Sequence, residues 1–170
     1  GSEMCKETAW YAGLQKVNTA LLIITTNVSD TTAGILNAHG SSDGDGAGIG
    51  GGLSGSCSNI TIESCSVIAS SKYGAGIGGG KQGAGSKITI NSASVNASST
   101  DGAGIGGGLY GAGSGSDITI NSSSVTASST NGAGIGGGKG GAGSNNITIN
   151  GGSVKASSVS GSPTNKGKEV

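Results

Sequence analysis

"GAGIGGGKQGAGSKITINSASVNASST", residues 74–100, decides the fold. Its glycines ahead of Lys81 suggest a loop that cradles phosphate, and Gly74, Gly76 and Gly79 satisfy a loose G-x-G-x-x-G pattern. A phosphate loop, however, places Ser or Thr after its lysine to reach the metal, and runs into a helix whose N-terminus faces the phosphate. Lys81 is followed by Gln82 and then by more Gly and Ser. GAGIGGG also recurs, beginning at Gly46, Gly74, Gly102 and Gly132. A nucleotide fingerprint occurs once per binding domain, so four copies in register describe architecture.

Successive copies start 28, 28 and 30 residues apart, the range in which solenoids are the first expectation. Each copy holds three short segments that alternate in the manner of strands. In the ITI segments the isoleucines face one way and Thr61, Thr89, Thr119 and Thr148 the other. In the SVxAS segments Val67, Val95, Val125 and Val154 pair inward with Ala69, Ala97, Ala127 and Ala156. In GAGIG the inward residues are Ala47 and Ile49 and their copies. The intervals from ITI to the valine, and from the valine to the next GAGIGGG, are always 7 residues. Length varies only between GGG and ITI, where Ser114-Gly115 and Asn145 look inserted. One corner tolerates loops, and stacking fixes the rest.

These features predict an all-β protein, a right-handed parallel β-solenoid of about 28–30 residues per coil, with rungs about 4.8 Å apart. A single coil buries too little to stand alone, so its ends need protection. In "EMCKETAWYAGLQKV" Met4, Trp10, Leu14 and Val17 approximate a helical stripe, which predicts a short capping helix over residues 3–17. The expected organisation is a cap over residues 1–20, about five coils over 21–158 and a polar tail over 159–170. The sequence shows no cap after the last coil, which leaves an open C-terminal coil as a candidate for homo-association.

Composition narrows the function. Glycine supplies 38 of 170 residues, and there is neither Phe nor Arg. Nine Lys against nine acids, scattered, give no basic stripe, and without Arg the bidentate phosphate grip is missing, so nucleic acid is not an expected partner. Leu21-Leu22-Ile23-Ile24 is too short to span a bilayer, and no membrane insertion is expected. Cys5, Cys57 and Cys65 fit neither a zinc spacing nor a redox motif, and Cys57 and Cys65 flank one strand, too far apart to pair. His39 is the only histidine and no carboxylate pair recurs, so no enzyme is expected.

Three surfaces remain as candidate sites. The threonine column, with Asn91, Asn121 and Asn150 beside it, would present a regular hydroxyl and amide face, the kind used by ice-binding solenoids; Asn59, Lys87, Asp117 and Asn146 flank it and break it with charge. The outward glycines Gly46, Gly48, Gly50, Gly74, Gly76, Gly78, Gly102, Gly104, Gly106, Gly132, Gly134 and Gly136 would leave a flat strip open to close approach, unless they serve tight bends instead. Asp43, Asp45 and Asp101 are candidate calcium ligands, because carboxylates and carbonyls in a glycine turn suit that ion. The column through Asp45 continues as Tyr73, Asp101 and Asn131, so no carboxylate is kept in every coil and a solvated turn competes with calcium.

The GAGIGGG…ITI…SVxAS unit, over roughly residues 46–158, resembles the glycine-rich β-helix repeats of secreted and surface-anchored proteins of anaerobic Gram-positive bacteria. The resemblance implies an adhesin-like or carbohydrate-binding module, extracellular or at the cell surface, with a polysaccharide or cell-surface glycan as partner. It carries over no individual functional residue. The alternatives are an ice-binding solenoid using the Thr/Asn face and a self-associating structural spacer.

Overall fold

The computed structural model describes residues 12–15, 21–25, 35–111, 117–159 and 161–166, with residues 144, 145 and 161–166 described as backbone alone. The regular elements among them are all strands. The first rung holds β1 (Leu14–Gln15), β2 (Leu22–Thr25) and β3 (Ile35–His39), and the second holds β4 (Ile49–Gly50), β5 (Cys57–Glu63) and β6 (Ser66–Ser71). The third holds β7 (Ile77–Gly78), β8 (Gly85–Asn91) and β9 (Ser94–Ser99). In the fourth, β10 (Ile105–Gly106) is followed by the long β11 (Ile118–Ser129), and in the fifth β12 (Ile135–Gly136) by β13 (Ser144–Ala156), because ITI and SVxAS there run together. β14 (Gly161–Lys166) follows.

Every strand pairs in parallel with its counterpart on the neighbouring rung. The short strands form one sheet in the order β1-β4-β7-β10-β12, and β11 joins the ITI and SVxAS ladders into a second. Identical residues therefore stack: Ile60 on Ile88, Ile118 and Ile147, and Val67 on Val95, Val125 and Val154. The inward isoleucines and valines of all three segments are buried, as the alternation predicts. The architecture is a parallel β-solenoid.

Two parts of the sequence reading are corrected. Leu14–Gln15 is a strand on β4, not the end of a helix: the Gly13 N–H donates to the Ala47 carbonyl (3.0 Å) and the Leu14 N–H to that of Gly48 (2.8 Å). Ala12-Gly13-Leu14 stands where Ala47-Gly48-Ile49 stands one rung later, so the first coil begins before residue 20. Ladder hydrogen bonds and the burial of Ala12 override the local helical stripe. The remainder of the expected cap, including Met4, Trp10 and Val17, lies outside the described residues. At the other end the expected polar tail contributes structure: Val159 bridges Ile135, and β14 pairs with β13. The edge of β13 that the sequence leaves open for homo-association is occupied by this strand.

Serines fasten one corner. The Ser71, Ser99 and Ser129 hydroxyls donate to the carbonyls of Gly46 (2.7 Å), Gly74 (2.7 Å) and Gly102 (2.6 Å). Ser99 also accepts from the Gly102 N–H at 2.9 Å, so one buried hydroxyl ties equivalent glycines of successive rungs. Ser99→Ala would strand both backbone groups away from water. A loss of about 2–3 kcal/mol is expected, read from the urea midpoint, while removal of an exposed serine such as Ser94 shifts it little.

Candidate ligand-binding faces

Outward residues of the ITI ladder form the first candidate face. Thr61, Thr89, Thr119 and Thr148 stand in register, half-buried, with Ile23 in the same column on the first rung. The neighbouring asparagines bond to one another. The Asn121 Nδ2 donates to Asn91 Oδ1 and the Asn150 Nδ2 to Asn121 Oδ1, each at 2.8 Å. This amide ladder commits one donor each from Asn121 and Asn150 to holding rungs together. On the other flank Asn146 Nδ2 donates to Asp117 Oδ1 (2.9 Å), and Lys87 is exposed beside it, which keeps the charge break expected from the sequence.

The flat glycine strip is not available to a partner. Eleven of its twelve residues are buried and Gly132 is half-buried. A Cβ on Gly104 would stand 2.6 Å from the Gly134 oxygen and 2.8 Å from the Ser128 nitrogen. The GAGIG segments thus lie directly against the backbone of neighbouring strands, with no layer of side chains between. Gly50, Gly78, Gly106 and Gly136 have φ of 134°, 136°, 132° and 140°, the bend that competed with the open-strip reading.

Nor are the three aspartates brought to one place. Asp101 lies two rungs from Asp45, with Tyr73 between them in the column. Asp45 is buried, and Lys81 Nζ sits 3.0 Å from its Oδ1, off the direction of a hydrogen bond. Asp43 Oδ1 is buried without a hydrogen-bond partner. Asp101 accepts from Asn131 Nδ2 (2.8 Å), with Lys139 3.9 Å away. Among the described residues no group of three or more His, Cys, Asp or Glu is arranged to hold a metal. The two ion pairs differ in weight. The Asp45–Lys81 pair is closer and less exposed, at 9% and 31% against 15% and 55% for Asp101 and Lys139. Lys81→Ala leaves a buried carboxylate without its cation and is expected to cost about 1–3 kcal/mol, against less than about 0.5 for Lys139→Ala, both read from denaturation midpoints.

Cys57 and Cys65 are not joined in a disulfide, in keeping with the spacing argument; burial pushes the Cys65 thiol above its usual range and makes it a poor nucleophile. The His39 Nδ1 lies 2.6 Å from the hydroxyl of Ser70, its partner on the next rung.

The sequence reading passes over the outer face of the SVxAS ladder. Ser66, Ser94 and Ser124 stack there, next to the column of Ile68, Asn96 and Thr126. Small side chains beside larger ones leave a hollow of about 310 Å³, closed at the first rung by Ile35. A second hollow of about 330 Å³, at the corner with Ser92 and Ser122, shares Ser66 and Ser94 with the first. The signal was present in the sequence as S-x-S-V at residues 64–67, 92–95 and 122–125.

Against known proteins, the family model described as Beta helix repeat matches four times, over residues 60–81, 88–109, 118–139 and 147–162, just under half of the chain. The chain is a β-helix repeat protein. Each full match in this β-helix runs from an ITI segment, through SVxAS, to the residue after the next GGG. The intervals left between matches are the corners where length varies. The last match reaches Ser162, beyond the point where the sequence reading ends the coils. No curated protein and no solved structure matches the chain. Among the described residues no helix is long and apolar enough to cross a membrane.

Proposed function

We propose that this β-helix is a non-enzymatic, extracellular stalk and recognition segment of the adhesin type, which binds polysaccharide along its flank. One observation carries the reading: the polar side chains are laid out as columns, one residue per rung, rather than converging on a point. A surface that repeats along an axis suits a ligand that repeats along its length. The titratable groups support the same reading, since Asp45 and Asp101 face lysines within the scaffold and His39 faces a serine. A glycan array probed with the intact chain tests it. Selective retention of a family of related glycans is expected, and an array blank across all glycans would overturn it.

The register of Thr61, Thr89, Thr119 and Thr148 favours a second reading, ice binding, because hydroxyls then recur at the rung spacing on a sheet face. Thermal hysteresis in a nanolitre ice chamber distinguishes it: faceted growth with a freezing gap supports ice binding, and its absence leaves the polysaccharide reading alone.

A further inference from the structure

We infer that the serine strip of the SVxAS face, Ser66, Ser94 and Ser124 with Asn96 and Thr126 beside them, is the ligand-contacting surface, and that its ligand is a neutral, extended polysaccharide lying along the solenoid axis. This deepens the polysaccharide reading above and rests on it. Three observations lead to this surface. The first hollow is lined from Ile35 on the first rung to Ser124 and Thr126 on the fourth, so the concavity runs across rungs, and it opens sideways at Ser66 and Ser94 into the second. The hydroxyls of Ser66, Ser94 and Ser124 are not engaged with other described residues, unlike the Asn91–Asn121–Asn150 amides and the corner serines. Each is therefore free to donate and to accept. No charged residue lines either hollow.

The chemistry selects among polymers. Nucleic acid needs cations that the strip lacks. Strand addition needs unpaired strand edges, whereas β6, β9 and β11 are paired on both sides. An apolar helix would find only Ile35 and Ile68, at one end. A neutral glycan fits: hydroxyls meet hydroxyls and amides, the apolar face of a sugar has Ile35 and Ile68 to cover, and rungs about 4.8 Å apart come close to the advance per sugar of an extended chain.

The test is affinity electrophoresis of the full chain in native gels cast with xylan, glucomannan or mixed-linkage β-glucan, beside gels cast with polygalacturonate. Three double variants are compared with the wild type: Ser94→Glu with Ser124→Glu, Ser94→Val with Ser124→Val, and Thr89→Glu with Thr119→Glu. The two glutamate pairs carry equal added charge, and thermal melts report whether each variant folds. At least one neutral polysaccharide is expected to retard the wild type. The serine-to-glutamate pair is expected to weaken this at least tenfold and the valine pair three- to tenfold, with the threonine pair within twofold of wild type. If the threonine pair abolishes retardation while both serine pairs retain it, the strip is overturned and polysaccharide recognition stands. Retardation by polygalacturonate alone overturns the neutral ligand. No retardation in any gel, together with a blank array, removes the functional reading itself.

Discussion

Gly106→Ala is expected to cost more than about 4 kcal/mol or to abolish cooperative folding altogether. Gly106 has φ of 132°, far from the regions open to a residue with a Cβ, and that carbon would land on the carbonyl oxygen of Gly136 on the next rung. The obstacle is backbone and has nowhere to go, since the same oxygen accepts the Gly107 N–H at 2.9 Å. Strain of about 1–3 kcal/mol therefore adds to the loss of ladder hydrogen bonds on either side. Gly151→Ser is the informative contrast. Gly151 also has positive φ, at 76°, but nothing lies near its absent Cβ, and Ser64, Ser92 and Ser122 turn the same corner on earlier rungs with φ of 51°, 48° and 47°. That change should stay within about 1 kcal/mol of wild type. Urea unfolding followed by circular dichroism separates the two. Equal, small losses would mean that the GIG segments do not stack backbone on backbone.

Ile120→Ala should be the next most damaging single change, at about 3–5 kcal/mol. Ile120 is fully buried on β11, with Ile90 on one side and Ile149 on the other. β11 also runs through both longer ladders, so a cavity there loosens both. Close packing of stacked isoleucines leaves little freedom for neighbours to collapse into the gap. The adjacent Thr119 faces outward, and Thr119→Ala is expected to cost less than about 1 kcal/mol. Denaturant midpoints of the two variants check the pair. A larger loss at Thr119 would place the wrong face inside.

Side-chain period made much of this legible in the sequence. Alternation of Ile with Thr, and of Val and Ala with polar residues, identifies inward residues without reference to contacts, and indels confined to one corner set the register. The glycines were less readable, because a missing side chain marks an exposed flat strip and a backbone-packed core equally well. The first rung was hidden by two coincidences. Met4, Trp10, Leu14 and Val17 fall at helical spacing, and Ala12-Gly13-Leu14 offers leucine where the repeat has isoleucine. That tripeptide was the available signal. Which hydroxyls are free is a matter of hydrogen-bond geometry, so Ser99, which fastens a corner, and Ser94, which lines a hollow, look alike in a chain with so many serines. The separation of the aspartates was legible, because the column Asp45, Tyr73, Asp101 and Asn131 already sets Asp101 two rungs from Asp45.

The most direct test of polysaccharide recognition is the glycan array with the intact chain, read once in calcium and once in EDTA. The expected result is a consistent set of neutral, linear glycans bright under both conditions, since no step of the recognition relies on Asp43, Asp45 or Asp101. An array dark under both conditions, or bright only for acidic glycans in calcium, would contradict it.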